Sequence, residues 1–192
     1  AAGTVTVQSA GTRFLQNIGG LAGENDADLR NSSAAGVVKV VMDAGNASNI
    51  GGLVGYNRGT AAGTSAMIAP ATTGGTPAGA VYDSLASAAV EVTSSEGSTI
   101  NAVAGQVGTN SGVINLGGII TPYNGGAVTV SMFNTLTRNA GYIFNVGGLL
   151  GQSQGDVLLL GGGQLFSAGP VTVSHLAQGG FLSGLGGIVG FN

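Results

Sequence analysis

The sequence has no cysteine, no tryptophan, a single histidine and few charged residues. Without a thiol, the chain can form neither a disulfide nor a thiolate metal site. A single histidine also excludes a metal site built from a histidine pair. The five lysine and arginine residues are too few for the phosphate contacts that drive nucleic-acid binding. We therefore expect no metal, no cofactor and no nucleic-acid partner.

Charge is the scarcest property of the chain. Charged residues make up 7% of the 192 residues, whereas a typical soluble domain has about 25%. Apolar residues make up 43%, which excludes disorder driven by charge. The surface must then consist mainly of small and uncharged residues, with little repulsion between copies. We expect partners that are other copies of the chain, in contact head to tail and also side by side.

Long apolar runs are missing as well. The richest run, 157–160, meets three glycines, far short of the roughly 20 residues that a membrane helix needs. We therefore expect no membrane insertion. The opening residues Ala1-Ala-Gly3 are typical of a chain that follows a small-residue cleavage site. This start favours an extracellular or cell-surface location.

A glycine-rich motif is present five times. The second copy reads Asn49-Ile-Gly-Gly-Leu-Val-Gly-Tyr-Asn57 and the others cover 17–25, 102–110, 145–153 and 184–192. The second glycine of each copy marks its position, with separations of 32, 53, 43 and 39 residues: Gly20, Gly52, Gly105, Gly148 and Gly187. An alternating β-branched run precedes each copy, and its equivalent valines are Val5, Val38, Val90, Val128 and Val171.

The alternating run and the glycine motif are two strand signals that recur together in every repeat. They predict an all-β fold, a β-solenoid (β-helix) of about five irregular repeats and roughly ten coils. We interpret 1–192 as one domain with a surface loop near 61–80. The marker glycines are expected to occupy tight turns with positive φ. The apolar residue after each of four markers is expected in the core: Leu21, Leu53, Leu149 and Ile188.

Asparagine opens three copies of the motif and closes four. The opening residues are Asn17, Asn49 and Asn145, and the closing residues are Asn25, Asn57, Asn110 and Asn192. Equivalent amides on successive coils can form a hydrogen-bonded ladder. Asparagine is also common in turns because it tolerates left-handed backbone. Both interpretations of these residues stay open at the level of the sequence.

The segment Gly-Gly-Leu-Val-Gly-Tyr-Asn-Arg-Gly at 51–59 resembles the GLUG repeat, a Gly-Leu-rich motif of microbial surface proteins and adhesins. Segments 147–155 and 108–115 are weaker matches, and the Asn-Ser-Tyr-Ala-Thr-Gly tail common in that repeat is not evident. The resemblance implies an extracellular repetitive scaffold and brings no catalytic residues with it.

Candidate chemical sites are sparse. His175 has no motif that would make it part of a catalytic triad, so we expect that the protein is not an enzyme. The acidic segment 24–28 is either a Ca²⁺ site near Asp26 or a solvated turn with Arg30 as partner. Asn31 and Asn46 begin N-glycosylation sequons.

These observations predict a structural protein, a self-assembling subunit of a filament, sheath or surface layer that forms by end-to-end β-strand stacking. A second class is an adhesin or carbohydrate-binding solenoid segment that contacts a cell-surface glycan through its tyrosines: Tyr56, Tyr82, Tyr123 and Tyr142. A third is an ice-binding protein in which Thr4-Val-Thr6 begins a threonine rank, a row of exposed threonines at equivalent positions of successive repeats. Lys39, Glu91 and Thr129 occupy the later positions of that rank, which makes it irregular.

Overall fold

The computed structural model describes residues 1–27, 29–30, 32–58, 80–82, 85–116, 126–133, 140–159, 169–176 and 179–192. The loop expected near 61–80 lies outside the described residues, except for its last residue, Ala80. The described chain consists of strands and turns without a helix, and its strand pairs are parallel. The prediction of an all-β fold is confirmed. No described segment is a helix long and apolar enough to cross a membrane.

The strands fall into five layers, one for each copy of the glycine motif. Layer 1 contains β1 (Ala2–Gly19), β2 (Ala22–Asn25) and β3 (Leu29–Arg30). Layer 2 contains β4 (Ser33–Gly51), β5 (Val54–Asn57) and β6 (Ala80–Tyr82). Layer 3 contains β7 (Leu85–Ala86), β8 (Ala89–Ser94), β9 (Ser98–Ala104), β10 (Val107–Asn110) and β11 (Val113–Leu116). Layer 4 contains β12 (Val128–Met132), β13 (Gly141–Gly147), β14 (Leu150–Ser153) and β15 (Asp156–Leu159), and layer 5 contains β16 (Val171–His175), β17 (Gly180–Gly186) and β18 (Val189–Phe191).

The sheets pass through the layers in sequence order. One sheet has the order β18-β14-β10-β5-β2 and another the order β15-β11-β6-β3. In the largest sheet, the first halves of β1 and β4 continue into β8, β12 and β16, and their second halves continue into β9, β13 and β17. We call these two parts face A and face B. The described chain has five layers rather than roughly ten coils, because both strand signals of a repeat lie in the same layer.

The register agrees with the phase of the two sequence signals. On face A, each of the equivalent valines pairs with the next: Val5, Val38, Val90, Val128 and Val171. On face B, the residues just before the markers pair in the same way: Gly19, Gly51, Ala104, Gly147 and Gly186. The sequence alignment of the five repeats is therefore also the spatial alignment of the five layers.

The core follows the alternation of the strands, because successive side chains of a strand point to opposite faces of its sheet. On face A, Val40, Val92 and Val130 are fully buried, while the residue before each of the three is partly or fully exposed. On face B, Ile100 and Ile143 are fully buried in a column that ends at Leu182. Valine and isoleucine fill a narrow core that is shared by neighbouring layers.

Candidate functional site: the two end layers

The marker glycines lie where one layer approaches the next. A Cβ added to Gly20 would overlap the carbonyl oxygen of Gly52, and a Cβ added to Gly52 would overlap that of Gly105. Gly20, Gly52 and Gly187 do not have a left-handed φ, so the expectation of positive-φ turns was wrong for them. Glycine is required here because a carbonyl of the following layer occupies the space of a side chain. Gly105 and Gly148 are buried at the equivalent bends of layers 3 and 4.

Left-handed backbone is found instead at the first position of the motif. Asn17, Asn49 and Asn145 have φ of 54°, 56° and 54°, and Ala102 and Gly184 occupy the same position with 53° and 63°. Their side chains also connect layers, since Asn49 Nδ2 donates to Asn17 Oδ1 over 2.8 Å. Asn145 Nδ2 donates over 2.9 Å to Asn101 Oδ1, a residue that the sequence analysis did not single out.

The left-handed backbone of Asn49 can be tested by comparing the stability of its alanine and glycine variants. Alanine is usually the more stable of the two in a strand, and we expect the opposite order here. We expect Asn49→Gly to be more stable than Asn49→Ala by about 1 kcal/mol, because left-handed backbone costs an L residue about 1–2 kcal/mol. At the neighbouring strand residue Ser48, alanine should be the better replacement by about 0.5–1 kcal/mol. Urea unfolding of the four variants measures both differences. The same order at both positions would contradict the left-handed conformation of Asn49.

The asparagines that close the motif form a ladder in the first three layers. Asn25 Nδ2 donates to Asn57 Oδ1 over 2.9 Å, and Asn57 Nδ2 donates to Asn110 Oδ1 over 2.8 Å. Asn110 Nδ2 then donates to Ser153 Oγ over 3.2 Å. Asn192, the closing residue of layer 5, is exposed and follows β18. Each amide of the ladder donates toward the later layer, so the ladder has a direction.

The four expected core residues differ in burial according to their layer. Leu53 in layer 2 and Leu149 in layer 4 are fully or almost fully buried. Ile188 in layer 5 is half-buried, and Leu21 in layer 1 is 38% exposed. The core assignment of Leu21 was wrong because layer 1 is covered by a neighbour on one side only. Layer 3 has Gln106 at this position, and its side chain is also buried.

Exposed apolar side chains are concentrated in the two end layers. Of the eight large hydrophobic residues that the structure exposes within its described segments, Phe133 belongs to layer 4 and the others to layers 1 and 5: Phe14, Leu21, Leu176, Phe181, Leu182, Leu185 and Phe191. Leu182 and Leu185 are 41% and 45% exposed although their partners Ile143 and Val146 are fully buried. These leucines continue the buried columns to an open end.

Unpaired strand edges lie beside these side chains. Among the described strands, β1 pairs only with β4, and β2 pairs only with β5. At the other end, β16, β17 and β18 pair with no described strand outside layer 4. Backbone donors and acceptors at such edges are available to another strand. Each end layer therefore combines an open core with an open sheet edge.

An aromatic cluster borders the layer 5 end on face B. The ring of Phe181 meets Tyr142 edge to face at 5.3 Å and Phe144 at 5.2 Å, and Phe181 is 53% exposed. Of the tyrosines considered for glycan binding, Tyr142 belongs to this cluster, whereas Tyr56 lies on β5 with its ring 5.7 Å from the Arg58 guanidinium carbon. Tyr123, like the side chain of Tyr82, lies outside what the structure describes. Sequence analysis missed Phe144 and Phe181.

The acidic turn has a cation as its neighbour. Arg58 of layer 2 lies 2.6 Å from the carboxylate of Glu24 and 3.6 Å from that of Asp26. The expected partner Arg30 has a side chain outside the described residues. In the part of the chain that is described, no group of three His, Asp or Glu side chains could hold a metal ion. Within the described residues the turn thus forms ion pairs with Arg58, while Asp28 of the same turn lies outside them.

The other candidate residues belong to the framework. His175 Nε2 lies 2.7 Å from the Gly141 carbonyl oxygen. Asn46 is half-buried within β4 rather than in an exposed loop, and Asn31 is not among the described residues. The threonine rank of face A is interrupted by Lys39 and Glu91, whose charged groups lie 3.7 Å apart.

No family model, curated protein or solved structure matches this chain. The resemblance of the glycine motif to the GLUG repeat therefore stays a prediction.

Proposed function

We propose that the chain is a β-solenoid with a structural function, a subunit of an extracellular filament, sheath or surface layer that assembles end to end. The carrying observation is the open core at layers 1 and 5. Leu182 is 41% exposed, whereas Ile143 and Ile100 in the same column are fully buried. A further layer on β17 would give Leu182 the environment that Ile143 already has.

Two contributions favour such a contact. Burial of apolar surface contributes about 25 cal/mol per Å², and a new parallel strand satisfies the backbone groups of the open edge. The two ends are unlike, since one presents layer 1 and the other presents layer 5. A contact between unlike ends repeats in one direction and produces an open filament rather than a closed dimer.

The side walls support lateral association. Lys39 and Glu91 on face A pair with each other at 3.7 Å, and charged residues are 7% of the sequence. Side-by-side contact of filaments would therefore bury few unpaired charges. The extracellular location rests on the resemblance of the motif to repeats of microbial surface proteins.

Electron microscopy and sedimentation velocity of the purified chain test the proposal. We expect fibres whose mean length increases with protein concentration and which disperse in moderate urea. Since salt screens charges but leaves hydrophobic contact intact, assembly should persist at high salt. Particles of a single size at every concentration would contradict end-to-end assembly.

A second candidate function, an adhesin or carbohydrate-binding segment, is favoured by the aromatic cluster of Tyr142, Phe144 and Phe181. An exposed apolar patch of this kind marks an interaction surface. Monodisperse chain that binds a glycan array, and loses binding in Phe181→Ala, would favour this function over assembly.

A further inference from the structure

We propose that layer 5 of one copy and layer 1 of a second copy meet in a single register, with Thr172 beside Thr6 of the second copy. This inference rests on the proposed function and deepens it, because it names the partner, the polarity and the register of the contact. The partner is a second copy of this chain in the same orientation.

On face A, the two ends share a run of three identical side chains. The run Val171-Thr-Val173 in layer 5 corresponds to Val5-Thr-Val7 in layer 1 through the register of the intervening strands. Thr6 and Thr172 are exposed, and the valines are partly buried. In the proposed register, valine packs beside valine inside and threonine lies beside threonine outside. A shift by one residue would place valine on the outer surface.

On face B, the same register joins apolar residues. The column of Leu182 begins at Leu15, and the column of Leu185 begins at Ile18. The column of Phe181 begins at Phe14, which is 75% exposed and is the most exposed large hydrophobic residue among those described. In the contact, Phe14 of the second copy would lie beside Phe181 and extend the aromatic cluster.

The asparagine ladder offers one further contact in the proposed register. Asn25 donates to layer 2, so its acceptor oxygen is the group offered to a layer on its other side. Continuation of the pairing between Gln152 and Phe191 places Asn192 beside Ser153. In the proposed register, the Asn192 amide would donate to Asn25 Oδ1 of the second copy.

Charge does not oppose the contact. The described residues of layer 5 include no lysine, arginine, aspartate or glutamate. Glu24 of the second copy would lie beside Phe191, but its carboxylate is already 2.6 Å from Arg58 of its own chain. No like-charged side chains are therefore brought together.

The marker glycines give a steric test of the same register. In the separate chain, a Cβ added to Gly187 would meet nothing within 4 Å. Gly20 and Gly52, at the same motif position, each face a carbonyl oxygen of the following layer. In the assembled state, Gly187 would face the Gly20 carbonyl of the second copy. A methyl group added at Gly187 would therefore clash in the assembled state but not in the separate chain.

Disulfide trapping tests the register directly, because the chain has no cysteine. Neighbouring parallel strands are about 4.8 Å apart, within the Cα separation of about 4.4–6.8 Å that a disulfide spans. The double variant Thr6→Cys with Thr172→Cys should give, after oxidation, a ladder of covalent multiples of 18.5 kDa. The matched control Gln8→Cys with Thr172→Cys is displaced by two residues and should give at least tenfold less ladder. Equal ladders, or dimers formed by Thr172→Cys alone, would overturn the register.

Two further measurements separate this inference from the proposed function. Gly187→Ala should raise the concentration needed for assembly at least tenfold with no change in the urea midpoint of the dispersed chain, whereas Ser183→Ala should change neither. The axial repeat of the fibres should be about 24 Å, from five layers at about 4.8 Å each. If the chain forms no fibres, the proposed function fails. If fibres form without the Thr6 and Thr172 cross-link, or with a repeat of about 48 Å, the register fails and assembly stands.

Discussion

Gly52→Ala should lower the free energy of unfolding by about 3 kcal/mol or more, a large part of the 5–15 kcal/mol typical of a folded domain. Its added methyl group would overlap the carbonyl oxygen of Gly105. Relief requires layers 2 and 3 to separate where Leu53 N and Val54 N donate to Gln106 O over 2.9 and 3.0 Å. Each buried hydrogen bond lost in this way costs about 1–3 kcal/mol. Urea unfolding followed by far-ultraviolet circular dichroism measures the effect.

Gly187→Ala is the matched control because it changes the same motif position in layer 5. Its methyl group would meet nothing within 4 Å in the separate chain, so we expect a change below about 0.5 kcal/mol. The comparison is made under dispersing conditions, where the end layers are free. A Gly52→Ala variant as stable as Gly187→Ala would show that the layers are not held at the spacing described above.

Asn57→Leu is expected to lower the free energy of unfolding by about 2–5 kcal/mol. The leucine has a similar volume but can neither accept from Asn25 Nδ2 nor donate to Asn110 Oδ1, two contacts of 2.9 and 2.8 Å. Asn57 and Asn110 are fully buried and Asn25 is 9% exposed, so water does not readily replace the lost partner. An unsatisfied buried polar group costs about 1–3 kcal/mol. The denaturation midpoint of the dispersed chain reports the loss.

The control for the ladder is Asn192→Leu, at the exposed end of the same motif position. It should change the stability of the dispersed chain by less than about 0.5 kcal/mol. Asn57→Asp adds a second comparison, because its carboxylate can accept from Asn25 but repels Asn110 Oδ1. A stability of Asn57→Leu equal to that of the parent chain would mean that the ladder contributes nothing to folding.

The alignment of the repeats could be derived from the sequence with unusual accuracy. The valines from Val5 to Val171 were identified as equivalent positions of the alternating run that precedes each copy of the motif, and the structure pairs each with its neighbour. Register is readable here because a slip of one residue would turn the apolar side of each strand outward. The number of layers was not readable, since the sequence does not say whether two strand signals share a layer.

The physical role of the marker glycines could not be obtained from their spacing. A glycine required by left-handed backbone and a glycine required by a close carbonyl are identical in a sequence. Gly52 is of the second kind, whereas the left-handed position within the motif is its first residue, which is asparagine in three copies, as at Asn49. Both interpretations of asparagine apply at Asn49, which has left-handed backbone and also donates to Asn17 Oδ1 of layer 1. The asparagines that close the motif form the ladder without left-handed backbone. Only the packing of one layer on the next distinguishes the two kinds of glycine.

The aromatic cluster was missed although a signal for it existed. Phe181 follows Tyr142 by 39 residues, the same separation as that of the markers Gly148 and Gly187. A search for aromatic residues separated by the local repeat length would have placed the two side by side. The exposure of Leu21 was missed for another reason, because the sequence analysis assigned one environment to all copies of the motif.

The continuous hydrogen bonding between layers has a mechanical consequence for the proposed filament. Tension along its axis would load the bonds of several sheets at once, so that no single bond carries the force alone. Within a copy, two of these sheets run through all five layers. A filament that keeps these two sheets continuous across each junction should therefore resist breakage along its axis.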